Sequence, residues 1–152
     1  MIKVLVLIPT YNEEESIAKL LTRLQAVREK IANSFDIDIL VIDDGSPDRT
    51  VEIIQSLEFS KIKVLQRSQK NGLGPAYLAG FTEGLKGDYQ YFVEMDADLS
   101  HQPEELISLL EQANDLNFVI GTRWMPGGSV VNWPKKRQFI SKMGTKLSLI
   151  HI

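Results

Sequence analysis

The chain has 152 residues, 43% of them hydrophobic and 24% charged, which are the proportions of a soluble globular protein of about one domain. It contains no cysteine and two histidines, so disulfides and thiolate metal sites are excluded and a zinc site is disfavoured. No apolar run reaches the roughly 18 residues of a membrane-spanning helix, and the apolar N-terminal run lacks a small-residue cleavage site, which is typical of a first strand rather than of a signal peptide.

The net charge of −3 is unevenly distributed along the chain. Residues 121–152 contain six Lys or Arg and no Asp or Glu, whereas residues 1–120 contain eleven basic and twenty acidic residues. A basic end on an acidic body favours contact with a phosphate, a membrane surface or a nucleic acid. The alternative interpretation is a solvated basic helix face.

Five apolar, strand-like runs alternate with helix-like segments. The predicted strands are residues 2–8, 38–43, 62–66, 89–95 and 117–121. Their apolar character is nearly continuous, which is typical of strands in a sheet that is covered on both faces.

The first two predicted helices have recognisable start signals. Apolar residues recur at helical spacing over residues 17–31. Asn12 followed by Glu15 resembles a capping box in front of this helix. The second helix is expected to begin with Ser46 as its cap and Pro47 at its first position.

The third helix is predicted over residues 74–86, and the fourth is expected to begin at Pro103. Strands and helices therefore alternate regularly along the chain. This order predicts an α/β fold, a doubly wound and mainly parallel sheet with helices on both faces.

Polar clusters follow four of the predicted strands, at residues 9–13, 43–48, 96–98 and 121–124. In open α/β sheets, ligands bind at the carboxyl ends of the strands. We therefore expect these clusters to meet at one edge of the sheet and to form a binding site.

The most informative cluster carries Asp96 and Asp98, two carboxylates separated by one residue at the end of a buried run. Both can turn toward one cation, and all-oxygen ligation favours a hard ion, Mg²⁺ or Mn²⁺, which shares its coordination shell with substrate phosphates. The alternative is that the triplet ends a strand or caps a helix. Arg123 and Arg137 are fork-shaped donors suited to phosphate, although either could be a surface arginine.

The clusters after the first two strands suit a nucleoside. Asp43 and Asp44 stand where a carboxylate commonly contacts a ribose or base, although Asp-Gly is also a turn signal by itself. Tyr11 offers a stacking or hydrogen-bonding group, and Glu13 offers an acceptor for a base or ribose. Helix capping is the competing role for this first cluster.

Five motifs, in chain order, carry a resemblance to a known family: IPTYNEEESI, VIDDGSPDRT, NGLGPAYLAGF, MDADLSHQP and GTRWMPGGSVVNWPKKRQFISKMG. They resemble the inverting family-2 glycosyltransferases with the GT-A fold, and within them the dolichol-phosphate or polyprenol-phosphate mannose synthases. The resemblance spans nearly the whole chain. It implies transfer of mannose from GDP-mannose to a polyprenyl (dolichyl) phosphate with inversion, dependence on Mg²⁺ or Mn²⁺, a peripheral position on the cytoplasmic face of a membrane, and no nucleic-acid partner.

The same resemblance implies roles for individual residues. Those implied to bind the nucleotide sugar are Pro9, Tyr11, Glu13, Asp43, Asp44, Asp96, Ala97 and Asp98. Those implied to hold the metal are Asp96 and Asp98, and those implied to act in catalysis are Asp98, Arg123 and Arg137. Ser100 stands where some relatives carry a glutamine that helps to hold the metal, and that role is not transferred to Gln102.

The last predicted helix suits a lipid acceptor. Five apolar residues recur at helical spacing with lysines nearby: Phe139, Ile140, Met143, Leu147 and Ile150. A short amphipathic helix with basic charge can lie on a membrane without crossing it. The competing interpretation is a core-facing helix with a wet basic side.

We expect residues 1–152 to form a single glycosyltransferase catalytic domain that is truncated within this last helix. Such a chain should bind a nucleotide with a divalent ion, transfer sugar slowly and self-associate. Two alternatives remain: a glucosyl or other sugar transferase to a polyprenyl phosphate that uses a UDP-sugar, and a nucleotide-sugar-binding domain without transfer activity. A haloacid-dehalogenase-type phosphatase is disfavoured because its D-x-D motif follows the first strand, whereas here the motif follows the fourth.

Overall fold

The computed structural model describes residues 1–117, 119–121, 134–136, 139–141 and 143. Its elements, in chain order, are β1 (Ile2–Thr10), α1 (Ile17–Ile31), β2 (Phe35–Asp43), α2 (Thr50–Ser56), β3 (Ile62–Gln66), α3 (Leu73–Gly84), β4 (Tyr91–Glu94) and α4 (Glu105–Gln112). The chain divides into two compact units, Met1–Glu111 and Gln112–Ile152. The whole sheet lies in the first unit.

The sheet is parallel throughout, with the strand order β3-β2-β1-β4. Thr10 pairs with Asp43, and Asp43 pairs with Gln66, so the carboxyl ends of β1, β2 and β3 are level. The strand order reverses at β1, because β2 and β3 lie on one side of it and β4 lies on the other. This arrangement is the doubly wound α/β topology that the sequence predicts.

Helices cover both faces of the sheet. On one face, alternate side chains of β1 and β2 pack against α1, α2 and α4, and the main buried members are Val4, Val6, Ile8, Leu20, Leu24, Ile39, Val41 and Leu106. On the other face, Leu5, Leu7, Leu40 and Ile42 pack against α3. Both faces of β1 and β2 are therefore buried, which explains their nearly continuous apolar sequence.

Small residues let α3 lie close to the sheet. Ala76, Gly80 and Gly84 are its buried residues. A Cβ built on Gly84 would lie 2.5 Å from Cε1 of Phe92 and 2.6 Å from Cδ2 of Leu5, so a side chain at this position would require Phe92, Leu5 or the helix to shift.

The predicted start of α1 is wrong. The helix begins at Ile17, with Ser16 in the cap position, rather than directly after Asn12. Asn12 has φ of 60°, a left-handed conformation that asparagine tolerates better than most residues. Its backbone N–H donates to Ser46 Oγ at 3.0 Å, so a contact with another loop replaces the local cap.

The predicted start of α2 is also wrong, because Ser46 and Pro47 precede the helix, which begins at Thr50. The hydroxyl of Ser46 donates to Asp43 and does not cap the helix. Asp48 stabilises the helix start instead, since its Oδ1 accepts from the Thr50 backbone N–H at 3.0 Å and from the Thr50 hydroxyl at 2.6 Å.

The fifth predicted strand is not found among the described residues, because residues 117 and 119–121 are outside any strand. Within the last predicted helix, all the described residues from 135 onward are helical. Residues 147 and 150 of its apolar pattern lie outside the described part of the chain. No helix of the described residues is both long enough and apolar enough to cross a membrane.

Candidate active site

The candidate site lies where the strand order reverses, at the carboxyl ends of β1 and β4. Ligands of doubly wound sheets bind in the crevice that opens at such a switch point. The backbone N–H of Met95 continues the β4 ladder by donating to the Leu7 carbonyl at 3.1 Å. Residues 96–98 therefore leave the sheet beside the residues that follow β1.

The loop after β1 is tied to the loop after β2 by a row of hydrogen bonds. Three successive backbone N–H groups donate to side chains: Asn12 to Ser46 (3.0 Å), Glu13 to Thr50 (2.9 Å) and Glu14 to Asp48 (3.1 Å). Desolvation opposes the ionisation of Asp48, but the hydrogen bonds from Thr50 and Glu14 outweigh it and hold the pKa of this carboxyl below its ordinary value. The two loops are thus fixed as one layer.

Asp43 shapes the turn after β2. It is 1% exposed, and its two oxygens accept four hydrogen bonds. Thr10 Oγ1 and Ser46 Oγ donate to Oδ1 at 3.1 and 2.6 Å, and the N–H groups of Gly45 and Ser46 donate to Oδ2 at 3.1 and 2.9 Å. Gly45 has φ of 75°, and a Cβ there would lie 3.3 Å from the Arg67 carbonyl oxygen, so the turn requires glycine. The predicted contact of Asp43 with a nucleoside stays a prediction.

Asp44 forms a buried ion pair with Arg67. Arg67 Nη1 donates to Asp44 Oδ1 at 2.7 Å, and the two side chains are 16% and 7% exposed, respectively. The backbone fixes both partners, because Asp44 N–H donates to the Thr10 carbonyl and Arg67 N–H donates to the Asp43 carbonyl. The first three strands thus hold a carboxylate next to a guanidinium at the sheet edge, which suits the polar edge of a base or a ribose.

The turn after β4 carries Asp96, which is half-buried, and Asp98, which is exposed. Asp98 Oδ1 accepts from the Ser100 N–H at 2.8 Å, and Asp96 N–H donates to His101 Nδ1 at 3.3 Å. Desolvation favours the neutral form of Asp98, but hydrogen bonding to Ser100 and the nearby His101 hold the pKa of Asp98 below its ordinary value. Asp98 is therefore ionised at neutral pH.

This donor set fits a hard divalent cation. Asp96 and Asp98 supply carboxylate oxygens, and among the described residues no group of three or more His, Cys, Asp or Glu side chains could enclose a metal ion. A site of two carboxylates leaves positions for water and for phosphate oxygens, which is how Mg²⁺ is usually held. The acidic turn thus suits a cation that arrives with a phosphate-bearing ligand.

Tyr77, from α3, packs on the sheet face that α3 covers. Burial raises the pKa of Tyr77, and the carboxylates of Asp96 and Glu94 raise it further. Tyr77 is therefore a neutral hydroxyl at physiological pH. In the loop after β1, the centroid of the Tyr11 ring lies 3.9 Å from Lys70 Nζ, a cation–π contact at the ring that is predicted to stack or to hydrogen-bond.

The structure brings most of the predicted residues to one edge of the sheet. Three of the four predicted clusters, residues 9–13, 43–48 and 96–98, lie there. Pro9 ends β1 with Thr10, and Ala97 is buried between the two acidic residues. Arg123 and Arg137 lie outside the described residues, so their assignment to phosphates stays a prediction.

Arg67, Lys70 and Tyr77 are the residues that sequence reasoning missed. Arg67 directly follows β3, so the rule that ligands bind at the carboxyl ends of strands would have found it if it had been applied to the third strand. No local signal points to Tyr77, because its position beside the acidic turn depends on how α3 packs on the sheet.

Comparison of the sequence with known protein families identifies the family of this chain. The sequence model described as Glycosyl transferase family 2 matches residues 5–151. The chain belongs to glycosyl transferase family 2. This membership confirms the resemblance recognised in the motifs.

Relatives with curated names match almost all of this chain. It is 48% identical over 145 residues to an undecaprenyl-phosphate mannosyltransferase of Micrococcus luteus, a match that covers 94% of this chain and 57% of the relative. It is 43% identical over 150 residues to a polyprenol monophosphomannose synthase of Mycolicibacterium smegmatis, which covers 96% of this chain and 54% of the relative. The chain thus spans about half the length of these relatives.

A solved structure with a similar fold supports the architecture. A mannosyltransferase from Pyrobaculum calidifontis, in complex with GDP-Man and Mn²⁺, superposes with a TM-score of 0.56 at 20% identity, covering 69% of this chain and 30% of the neighbour. Together with the family match, this likeness confirms the predicted α/β fold of the GT-A type.

Proposed function

We propose that this protein transfers mannose from GDP-mannose to a polyprenyl (dolichyl) phosphate with inversion, in a reaction that depends on Mg²⁺ or Mn²⁺. The observation that carries the proposal is the 48% identity, over 94% of the chain, to an undecaprenyl-phosphate mannosyltransferase. The acidic turn at the switch point supports it, because a diphosphate donor needs a charge partner there. We further propose that residues 1–152 belong to one catalytic domain, since the family model spans both compact units.

The donor would bind across the switch point. Tyr11 would stack on the base, and Asp44, held by Arg67, would accept hydrogen bonds from the nucleoside. Pro9, Glu13, Asp43 and Ala97 would complete the walls of this pocket. The buried pair of Asp44 and Arg67 supports this role because it presents a fixed charge pattern at the carboxyl edge of the sheet.

The diphosphate would lie against the acidic turn. Asp96 and Asp98 would hold the divalent ion, and the lowered pKa of Asp98 keeps that ligand ionised. A bound Mg²⁺ or Mn²⁺ would neutralise the negative charge that develops on the leaving diphosphate. Asp98 would thus act in catalysis by holding this charge partner next to the scissile bond.

The acceptor requires no general base from the protein. The second pKa of a phosphate monoester is about 6, so most of the acceptor is already an anionic nucleophile at neutral pH. Attack from the face opposite the leaving diphosphate inverts the anomeric carbon. Arg123 and Arg137 would hold the two phosphates close together against their repulsion.

Contact with a membrane surface would deliver the lipid acceptor. Phe139 and Ile140 are 66% and 61% exposed, and Met143 is 47% exposed, in a stretch whose described residues are helical. Lys135 and Lys136 precede them. Exposed apolar side chains with basic neighbours suit the interface of an anionic bilayer, to which each lysine contributes up to about 1 kcal/mol.

Nucleotide-dependent stabilisation tests the donor assignment. Urea unfolding is measured with GDP or UDP, each with and without Mn²⁺. GDP with Mn²⁺ at about 100 times its Kd should add about 2.7 kcal/mol to the free energy of unfolding. Stabilisation by UDP but not by GDP would favour the UDP-sugar alternative and contradict the proposed donor.

A transfer assay with polyprenyl phosphate and either GDP-mannose or UDP-glucose tests the reaction. Formation of mannosyl phospholipid supports the proposal, whereas nucleotide binding without transfer would identify a binding domain. Arg137→Ala should lower the transfer rate by roughly tenfold to a hundredfold, because a charge-assisted hydrogen bond contributes about 1.5–3 kcal/mol. Lys136→Ala is the matched control, and an equal loss in both variants would contradict a specific role for Arg137.

A further inference from the structure

The turn that carries Asp96 and Asp98 contains a residue in an unfavourable backbone conformation. Leu99 has φ of 61°, in the left-handed region that non-glycine residues adopt only where surrounding contacts hold them. Its side chain is half-buried and packs against the core between the sheet and α1. The conformation of this turn therefore depends on contacts outside the turn itself.

One such contact comes from α1. Arg23 directs its Nε and Nη2 atoms at the carboxylate of Glu104, and the same Nη2 donates to Gln102 Oε1 at 2.8 Å. Gln102 Nε2 in turn donates to the Leu99 carbonyl at 2.9 Å. A continuous chain of hydrogen bonds therefore runs from the helix through Gln102 to the strained residue.

We call this series of hydrogen bonds the Arg23–Gln102 brace. It ends at the turn that carries both carboxylates. Asp98 precedes Leu99 directly, and Ser100, which follows it, donates its N–H to Asp98 Oδ1 at 2.8 Å. Asp96 is tied to the far end of the turn, because its N–H donates to Nδ1 of His101. A change in the backbone at Leu99 would therefore move the two carboxylates relative to each other.

We propose that Arg23 and Gln102 are positioning residues that hold Asp96 and Asp98 at the separation that binds Mg²⁺ or Mn²⁺. The inference rests on the proposed function, in which these two carboxylates hold the ion. Gln102 uses both ends of its amide for the brace, so its role is to orient the turn and not to ligate the metal. The planar fork of Arg23 suits this role, since one guanidinium reaches two acceptors at fixed angles.

Two variants break the brace without removing a proposed ligand. Gln102→Met keeps the length of the side chain and removes both hydrogen bonds, and Arg23→Lys keeps the charge opposite Glu104 but replaces the rigid guanidinium fork with a single, more flexible ammonium. Arg28→Lys is the matched control. Arg28 also lies on α1 and donates to two acceptors, Gln25 Oε1 and the Ser60 carbonyl, neither of which belongs to the acidic turn.

Binding of Mn²⁺ is measured by electron paramagnetic resonance in the presence of saturating GDP. Outer contacts that orient metal ligands typically change metal affinity by about tenfold to a hundredfold. Because this brace acts through the backbone, we expect about a tenfold loss for Gln102→Met, a smaller loss for Arg23→Lys and none for Arg28→Lys. The midpoint of urea unfolding and the affinity for GDP without metal should stay unchanged. If the two residues served only to stabilise the fold, the urea midpoint would fall instead.

A second measurement reads the turn without any metal. Amide hydrogen exchange at Ser100 should become faster in Gln102→Met than in the wild type, whereas exchange within β1 should not change. If the wild type binds Mn²⁺ and Gln102→Met binds it equally well, the proposed positioning role of the brace is refuted, whereas the proposed function is not. If the wild type binds no Mn²⁺ even with GDP, the metal assignment itself fails, and the brace fails with it.

Discussion

Replacing Arg67 with alanine would leave Asp44 as a buried carboxylate without its cation. The pair is joined at 2.7 Å, and the Asp44 side chain is only 7% exposed. Removing one partner of a buried ion pair typically costs about 3–5 kcal/mol, because the remaining charge is neither solvated nor paired. Arg67 retains 16% exposure, so water can partly replace the guanidinium. We therefore expect a loss of about 3 kcal/mol in the free energy of unfolding.

Urea unfolding followed by circular dichroism measures this loss, with the m-value as a check that the unfolded state is unchanged. The double variant Arg67→Met with Asp44→Asn should lose clearly less than Arg67→Ala, because no charge remains buried. Lys86→Ala is the control, since its ion pair with Glu83 is exposed and should contribute less than about 0.5 kcal/mol. A loss below about 1 kcal/mol in Arg67→Ala would refute the claim that this pair is buried and coupled.

Three further outcomes are expected. Asp98→Ala should abolish Mn²⁺-dependent GDP binding in calorimetry and leave the urea midpoint unchanged; retention of full metal-dependent binding would contradict the metal assignment. Asp48 has a lowered pKa in the folded protein, so its stabilising contribution is present above its unfolded value of about 3.8 and is lost as the pH falls through the folded value. In Asp48→Asn the urea midpoint should therefore fall less steeply as the pH is lowered. An unchanged slope would show that Asp48 does not contribute to the loss of stability in acid. Gly84→Ala should destabilise the protein by about 1–2 kcal/mol, because overpacking against Phe92 outweighs the gain in helix propensity; a more stable variant would contradict the close packing of α3.

The sequence was most informative about the sheet, for a physical reason. Strands covered on both faces need apolar side chains at nearly every position, so β1 and β2 are conspicuous in the amino-acid sequence. Once alternating strands and helices predict a doubly wound sheet, the rule on carboxyl ends locates Asp44, Asp96 and Asp98 together. The site could therefore be located before its geometry was known.

Helix starts were predicted poorly because capping residues had other partners. Ser46 has the composition of a helix cap, but its hydroxyl bonds to Asp43 and its oxygen accepts from Asn12. The contact with Asn12 bridges two loops 34 positions apart, and local sequence carries no information about it. The contact with Asp43 lies within the turn after β2 and occupies the hydroxyl that would otherwise cap the helix. Arg67 differs, because its place directly after β3 is a usable signal, although its partner Asp44 lies 23 positions away.

The central position of β1 has a consequence for how the protein is made. β1 is synthesised before the other three strands of this sheet, yet one of its neighbours arrives very late, as the contact between Lys3 and Gln90 spans 87 positions. At a translation rate of about 5–20 residues per second, several seconds separate the synthesis of β1 from that of β4. During that interval its edge is unpaired and apolar on both sides, the kind of surface that chaperones capture and that drives aggregation. The acidic turn is completed only when β4 docks, so the proposed metal site forms together with the pairing that covers the free edge of β1.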